Sequence, residues 1–198
     1  MSATPTLPAP RRLIVGITGA SGAIYGIRIL QALQGSGVET HLVMSDSARV
    51  TLAAETDMGS AEVEALASVV HHARNIGATV SSGSFRTMGM VIAPCSIRTL
   101  SEVAWGGTSS LLTRAADVVL KERRRLVLLL RETPLHAGHI QSMLQATSSG
   151  AIIMPPVPAF YARPQTVDDI VNHSVGRVLD LFDIDTDLVA RWAGLGKP

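Results

Sequence analysis

RLIVGITGASGAIYGIRILQAL, residues 12–33, reads as a strand, a glycine-rich turn and a helix. Leu13 to Ile17 is a short apolar run rich in β-branched residues. Such a run is the signature of a strand buried on both faces. Thr18-Gly19-Ala20-Ser21-Gly22 then turns sharply, because glycine tolerates the positive φ that such a turn needs. From Ala23 to Leu33 the apolar residues Ile24, Ile27 and Leu30 recur at helical spacing. A helix N-terminus with free N–H groups is therefore expected beside Ser21, where it suits an anion or a polar ring edge. The alternative is an ordinary βα connection. The spacing Gly16, Gly19, Gly22 is not the strict dinucleotide fingerprint, so a mononucleotide fits as well as NAD.

Working outward, the chain of 198 residues is long enough for one domain with a full core. That domain is expected over residues 11–198. Residues 1–10, rich in Pro, Thr and Ala, lack the apolar region of a signal peptide and are expected to be a disordered tail. Seventeen basic against sixteen acidic residues give no general attraction to nucleic acid. The one local basic run, Lys121 to Arg125, suits either a nucleic-acid patch or a solvated helix end. Hydrophobic residues make up 46% of the chain, yet no apolar run is long enough to span a bilayer. Apolar surface buried between subunits is the expected outlet. Cys95 is the single cysteine, which excludes an intrachain disulfide and is compatible with a reducing, cytoplasmic compartment.

Glu39 to Met44 reads as a second strand, and Ser45 as the N-cap of a helix reaching Glu55. Taken alone, Glu55 is a surface carboxylate. Ala61 to Ala73 is expected to be one helix. Residues 75–87 form a loop whose Ser81, Ser82, Gly83 and Ser84 suit either a phosphate or a plain turn. Met90 to Ala93 is the third expected strand, and Ser96 caps a helix through Ala104. The turns at Ser21 and Ser96 flank one crevice if their strands are neighbours, which is where doubly wound sheets bind nucleotides. Leu111 to Arg124 is helical, with Arg114 and Lys121 near one face. Leu126 to Leu130 is the fourth strand. Arg131 and Glu132 at its carboxyl end either pair with each other or face an anionic ligand. Leu135 to Ser148 carries His136 and His139 at a spacing compatible with a metal, but no third ligand has matching spacing. Ala151 to Met154 is a fifth strand. Pro155 to Pro158 forces an extended arm that delivers Phe160 and Tyr161. Val167 to Phe182 is the last helix, with Arg177 on it and Trp192 beyond. This alternation predicts a three-layer α/β domain with a mainly parallel sheet.

GITGASGAIYG, ETHLVMS, SGSFRT, APCSIRTL, RAADVVLKERR, RETPL and PAFYARPQTVDDI occur in that order from Arg12 onward. Together they resemble the UbiX-type flavin prenyltransferases, including relatives once called phenolic-acid decarboxylase subunits. The resemblance implies a flavodoxin-like, Rossmann-like fold, bound FMN, a homododecamer and no metal. It implies transfer of a dimethylallyl group from dimethylallyl phosphate to reduced FMN at N5 and C6. The product, prenylated FMN, would serve a UbiD-type decarboxylase. Alternatives are a non-catalytic FMN-binding subunit of a decarboxylase, or a peptidyl-cysteine-type flavin decarboxylase, whose PxMNxxMW-like stretch this chain lacks.

Matched by position, the resemblance assigns FMN contacts to Gly19, Ala20, Ser21, Ser45, Ser96, Ile97, Arg98, Thr99 and Arg131. Tyr161 and Arg177 match residues that hold the donor's phosphate. Lys121 and Glu132 match further phosphate-site positions, and Arg114 is grouped with the substrate-binding set. Ser21 and Glu55 match the polar pair at the reactive flavin edge, and Trp192 an aromatic that closes the prenyl pocket. The residue types suit the chemistry. Breaking an allylic C–O bond leaves negative charge on phosphate, which Lys121, Arg131, Arg177 and the Tyr161 hydroxyl can stabilise. Glu132 can manage a proton on the leaving group, and Glu55 with Ser21 can relay protons at the flavin. The chain departs from the family pattern at Ile76, where some members carry tryptophan. It departs also at Ser109-Ser110, at Leu130 before Arg131-Glu132, and over His139 to Ser142.

Overall fold

A computed structural model describes residues 11–189, 191 and 194. The tail at 1–10 and Trp192 lie outside the described residues. Six parallel strands form one sheet in the order β3-β2-β1-β4-β5-β6. They are β1 (Arg12–Ile17), β2 (Glu39–Met44), β3 (Val69–His72), β4 (Gly89–Cys95), β5 (Arg125–Leu130) and β6 (Ala151–Ile153). Around them run α1 (Ala23–Leu33), α2 (Asp46–Glu55), α3 (Ser60–Glu64), α4 (Ile97–Ala104), α5 (Leu111–Lys121), α6 (Ala137–Ser148) and α7 (Val167–Asp180). The strand order reverses between β1 and β4. Without the edge strand β3, the remaining order is the flavodoxin-like one.

The reading of the first strand holds residue by residue. Leu13, Val15 and Ile17 enter one core, shared with α1, α2, α3 and α7. Ile14 enters the other, shared with α4, α5 and α6. This alternation follows from the period of two in a strand. Gly26 brings α1 close to the sheet: a Cβ there would overlap the Ala93 carbonyl oxygen on β4. Among the described residues no helix is long and apolar enough to cross a membrane.

One expected element is wrong. The single helix read over Ala61 to Ala73 is the short α3 followed by β3. The Glu- and Ala-rich half suits a helix, but Val69 and Val70 are β-branched and prefer a strand. A reciprocal clasp starts that strand. Thr40 N donates to the Ser68 hydroxyl at 3.1 Å, and Ser68 N donates to the Thr40 hydroxyl at 2.9 Å. Smaller shifts occur at helix ends. Helix α5 stops at Lys121 rather than Arg124, because Arg123 takes a left-handed φ of 56°. The Arg124 guanidinium then donates to the carbonyls of Gly83 and Phe85. Helix α6 starts at Ala137, with His136 as its N-cap. Helix α7 ends at Asp180, short of Phe182.

Candidate active site

The carboxyl ends of β1, β2, β4 and β5 are laced together. Ser45 N donates to Ile17 O at 3.0 Å, and Arg131 N donates to Cys95 O at 3.0 Å. Thr18, almost fully buried, bridges β1 and β4. Its hydroxyl donates to Pro94 O at 2.7 Å and accepts from Ser96 N at 2.9 Å. The condition for a crevice between the Ser21 and Ser96 turns is met, because their strands β1 and β4 are neighbours.

The N-terminus of α1 is not open to an external anion, contrary to the reading of the turn. Glu55 at the end of α2 fills it: Oε2 accepts from Gly22 N at 2.8 Å and from Ala23 N at 3.1 Å. The Ser21 hydroxyl joins the same carboxylate. Burial pushes the Glu55 carboxyl up. Hydrogen bonds from Ser21, Gly22 and Ala23 and the nearby Arg131 charge outweigh that and hold it below its ordinary value. Glu55 is thus an exposed carboxylate, held ionised, that also caps the N-terminus of α1. Ser21, Glu55 and Arg131, distant in the chain, come together here. Gly19 lies against α2, where a Cβ would sit 2.6 Å from the Ser47 side chain, and its carbonyl accepts from the Thr51 hydroxyl at 3.0 Å. Ala20 completes the turn. Arg131 and Glu132 make no ion pair with each other among the described residues. The Glu132 carboxylate accepts instead from Thr133 N at 3.0 Å.

A cavity of about 560 Å³ opens on this edge, lined among others by Thr18, Ser45, Ile76, Ser96, Arg98 and Thr99. Four of the expected FMN contacts thus share one space. Ser45 caps α2, accepting from Ala48 N at 3.1 Å. Ser96 caps α4, accepting from Thr99 N at 3.3 Å and donating to the Thr99 hydroxyl at 3.0 Å. Ile97, the first residue of α4, turns its side chain to the core. Two capped helix N-termini, several hydroxyls and an arginine are the donor set a phosphate-bearing ligand needs, and the volume lies within the usual range for such ligands. The residues present therefore fit FMN.

Sequence reading missed other walls of this cavity. Arg74, paired with Asp46 at 2.8 Å, follows β3. Reading that stretch as helix hid the fact that it ends on the ligand edge. Glu102 was also missed. Its carboxylate accepts from the Ser109 hydroxyl at 2.6 Å and from Arg98 Nε at 3.1 Å, so it fastens the loop at Ser109-Ser110 to α4. Its i,i+4 spacing from Arg98 was the available signal.

The remaining expected residues lie elsewhere in the chain. Lys121 ends α5, where the chain re-enters the sheet at its amino edge. From Thr113 in the cavity wall to Lys121 is roughly 12 Å along the helix axis. Lys121 pairs with Glu122 at 2.6 Å and lies close to Gly83 in the serine-rich loop. Arg114, nearer the cavity, pairs with Asp117 at 2.8 Å. Tyr161 and Arg177 share a hollow beside α7, on the opposite face of the sheet from α5. His136 is held locally: its Nδ1 accepts from Gly138 N at 3.0 Å, and its ring packs on His139. Among the described residues no group of three His, Cys, Asp or Glu is arranged to hold a metal.

A protein-family profile described as Flavoprotein matches residues 1–179. The flavin prenyltransferase UbiX of Escherichia coli K12 is 64% identical over 187 residues, covering 93% of this chain and 99% of that one. The flavin prenyltransferase UbiX of Thauera aromatica is 62% identical over 183 residues, covering 92% and 94%. The chain belongs to the flavoprotein family, in its UbiX flavin prenyltransferase branch.

Solved UbiX proteins superpose on it closely. One, AnUbiX (PadA1) in complex with FMN and dimethylallyl pyrophosphate, matches with a TM-score of 0.93 at 51% identity, covering 94% of this chain and 100% of that one. A dodecameric FMN-dependent UbiX-like decarboxylase from Escherichia coli O157:H7 matches with a TM-score of 0.90 at 50% identity, covering 92% and 100%. The FMN-dependent cysteine decarboxylase SpaF, at 21% identity and a TM-score of 0.59, shares the fold alone. The six-stranded parallel sheet is thus the UbiX fold.

Proposed function

We propose that this chain transfers a dimethylallyl group from dimethylallyl phosphate to reduced FMN, bonding at N5 and C6 and releasing inorganic phosphate. The observation that carries the proposal is the meeting of Ser21, Glu55 and Arg131 on the sheet edge that holds the hydroxyl-lined cavity. When bound, the flavin supplies the nucleophilic edge. Ser45, Ser96, Arg98 and Thr99 hold its phosphate-bearing side chain. Glu55, kept ionised, accepts a proton through the Ser21 hydroxyl as the ring is alkylated. Lys121, Glu132, Tyr161 and Arg177, together with Arg114, hold the donor's phosphate and stabilise the charge that collects on it. Trp192 closes the prenyl pocket.

One chain puts Lys121 and the Tyr161–Arg177 pair on different faces, so the donor site is completed by neighbouring copies. The dodecameric state of the Escherichia coli O157:H7 relative supports a homododecamer here. We infer that residues 11–198 act as one FMN-binding domain. The product is prenylated FMN, delivered in the cytoplasm to a UbiD-type decarboxylase. Incubating the FMN-loaded protein anaerobically with reduced FMN and dimethylallyl phosphate should yield prenylated flavin by mass spectrometry. No such mass from folded, FMN-loaded protein would reject the proposal. A mere FMN carrier would still activate its partner decarboxylase after Glu55→Gln and Glu132→Gln; the proposed enzyme would not.

A further inference from the structure

We propose that Arg191 is a further donor-binding residue. Asp180 and Gly176 set it beside Arg177, making the hollow next to Tyr161 a two-guanidinium site for the phosphate of the allylic ester. This rests on the reading of Tyr161 and Arg177 given above. The hollow, about 400 Å³, is lined by Tyr161, Arg177, Val189 and Arg191. One carboxylate joins the two arginines. Arg177 Nη1 donates to Asp180 Oδ2 at 2.7 Å, while Arg191 donates through Nη1 to Oδ2 at 3.3 Å and through Nη2 to Oδ1 at 3.0 Å. The Asp180 side chain is 16% exposed, against 48% and 59% for the arginines. The anion therefore lies underneath and the cations stand at the surface of the hollow.

Gly176 permits this arrangement. It faces the segment that returns after α7, and a Cβ on it would overlap the Val189 side chain and approach Leu188 Cβ to 3.2 Å. With no side chain at that position, the returning segment seats directly on the helix, and Arg191 reaches Asp180 one turn further on. The charges then favour an anion. Two guanidiniums share one partly buried carboxylate, and among the described residues the other acid paired with Arg191 is Asp185, fully exposed at 3.8 Å. An arginine carries five N–H donors in a fork that matches phosphate. Arg177 commits one nitrogen to Asp180 and Arg191 two, so each retains donors for a ligand. The Tyr161 hydroxyl, which is hydrogen-bonded to His173 Nε2 at 3.1 Å, lies at the same wall.

A purely structural account would have Arg191 fasten the returning segment to α7 and nothing more. Steady-state kinetics in the full chain separate the two, with FMN affinity and thermal midpoint measured alongside. Arg191→Gln should raise the KM for dimethylallyl phosphate by about 10- to 100-fold, as expected for losing a charged hydrogen-bond partner. It should weaken competitive inhibition by inorganic phosphate in parallel and leave FMN affinity unchanged. Arg191→Lys, which keeps the charge but not the fork, should recover part of the loss. Asp180→Asn should raise KM less than Arg191→Gln. A lowered midpoint with unchanged KM in Arg191→Gln would overturn the inference. If Arg177→Gln raises KM while Arg191→Gln does not, this inference falls and the proposed function stands. If neither moves KM, the reading of Tyr161 and Arg177 falls with it.

Discussion

Glu55→Gln separates electrostatics from packing at the α1 N-terminus. In the wild-type chain one carboxylate oxygen accepts from two backbone amides, at 2.8 and 3.1 Å, with the Ser21 hydroxyl on the same group. Glutamine has nearly the same shape and can still accept through its carbonyl oxygen. What it loses is the negative charge facing the positive end of the helix. An anion at that position contributes about 0.3–1 kcal/mol when exposed and up to about 2 kcal/mol when partly buried. Glu55 is solvent-accessible, so screening keeps the value near the lower range, at about 1 kcal/mol. For a chain of this size about 1 kcal/mol lowers Tm by roughly 2–4 °C. The pH dependence has a definite sign. The folded carboxyl titrates below its ordinary 4.5, so the stabilisation is fully present above that pH and disappears as pH falls through the folded value. Thermal melts of both proteins at fixed concentration and low salt, from pH 7 to pH 3, should show a gap that closes on acidification. A gap that persists unchanged at pH 3, or no gap at neutral pH, would refute the reasoning.

Three further outcomes follow from the same lacing of the sheet edge. Thr18→Val leaves Ser96 N without its buried partner and removes one of the two hydrogen bonds to Pro94 O, which keeps the Thr18 backbone N–H at 3.3 Å; it should cost about 1–3 kcal/mol. Urea unfolding should show a lower midpoint at unchanged slope, with weaker FMN binding; an unaltered midpoint would contradict it. Gly26→Ala would normally gain about 1 kcal/mol of helix propensity. Here the sign should reverse, because the new methyl group meets the Ala93 carbonyl oxygen, and a raised urea midpoint would disprove the close approach. Cys95 is fully buried, and burial pushes its thiol up, so iodoacetamide should leave the native protein unlabelled and modify it only in urea. Rapid labelling of the native protein would show that this strand end opens.

Much of the architecture was legible along the chain because it depends on local pattern. The buried strand at Leu13 to Ile17, the capping serines Ser45 and Ser96, and the hydroxyl-bearing turns at the ligand edge all express short-range periodicity or capping chemistry. Strand β3 was hidden because its four residues follow a good helix start. Its decisive contacts, the Ser68–Thr40 clasp, join positions 28 residues apart. The same limit concealed Arg74 and Arg191, whose neighbours in the chain say nothing about the wall each completes.

By itself the sequence determined the alternation of elements, the burial of the central strands and the kinds of group available for flavin and phosphate. Residue type and periodicity act through neighbours three or four positions away, and these properties need nothing more. Tertiary structure alone decided that Glu55 occupies the helix end that looked open to a ligand. It also decided that Lys121 and Arg177 stand on opposite faces of the sheet, and that Asp180 draws Arg191 to Arg177. Each of these depends on where packing brings segments far apart in the chain, and no local pattern encodes that.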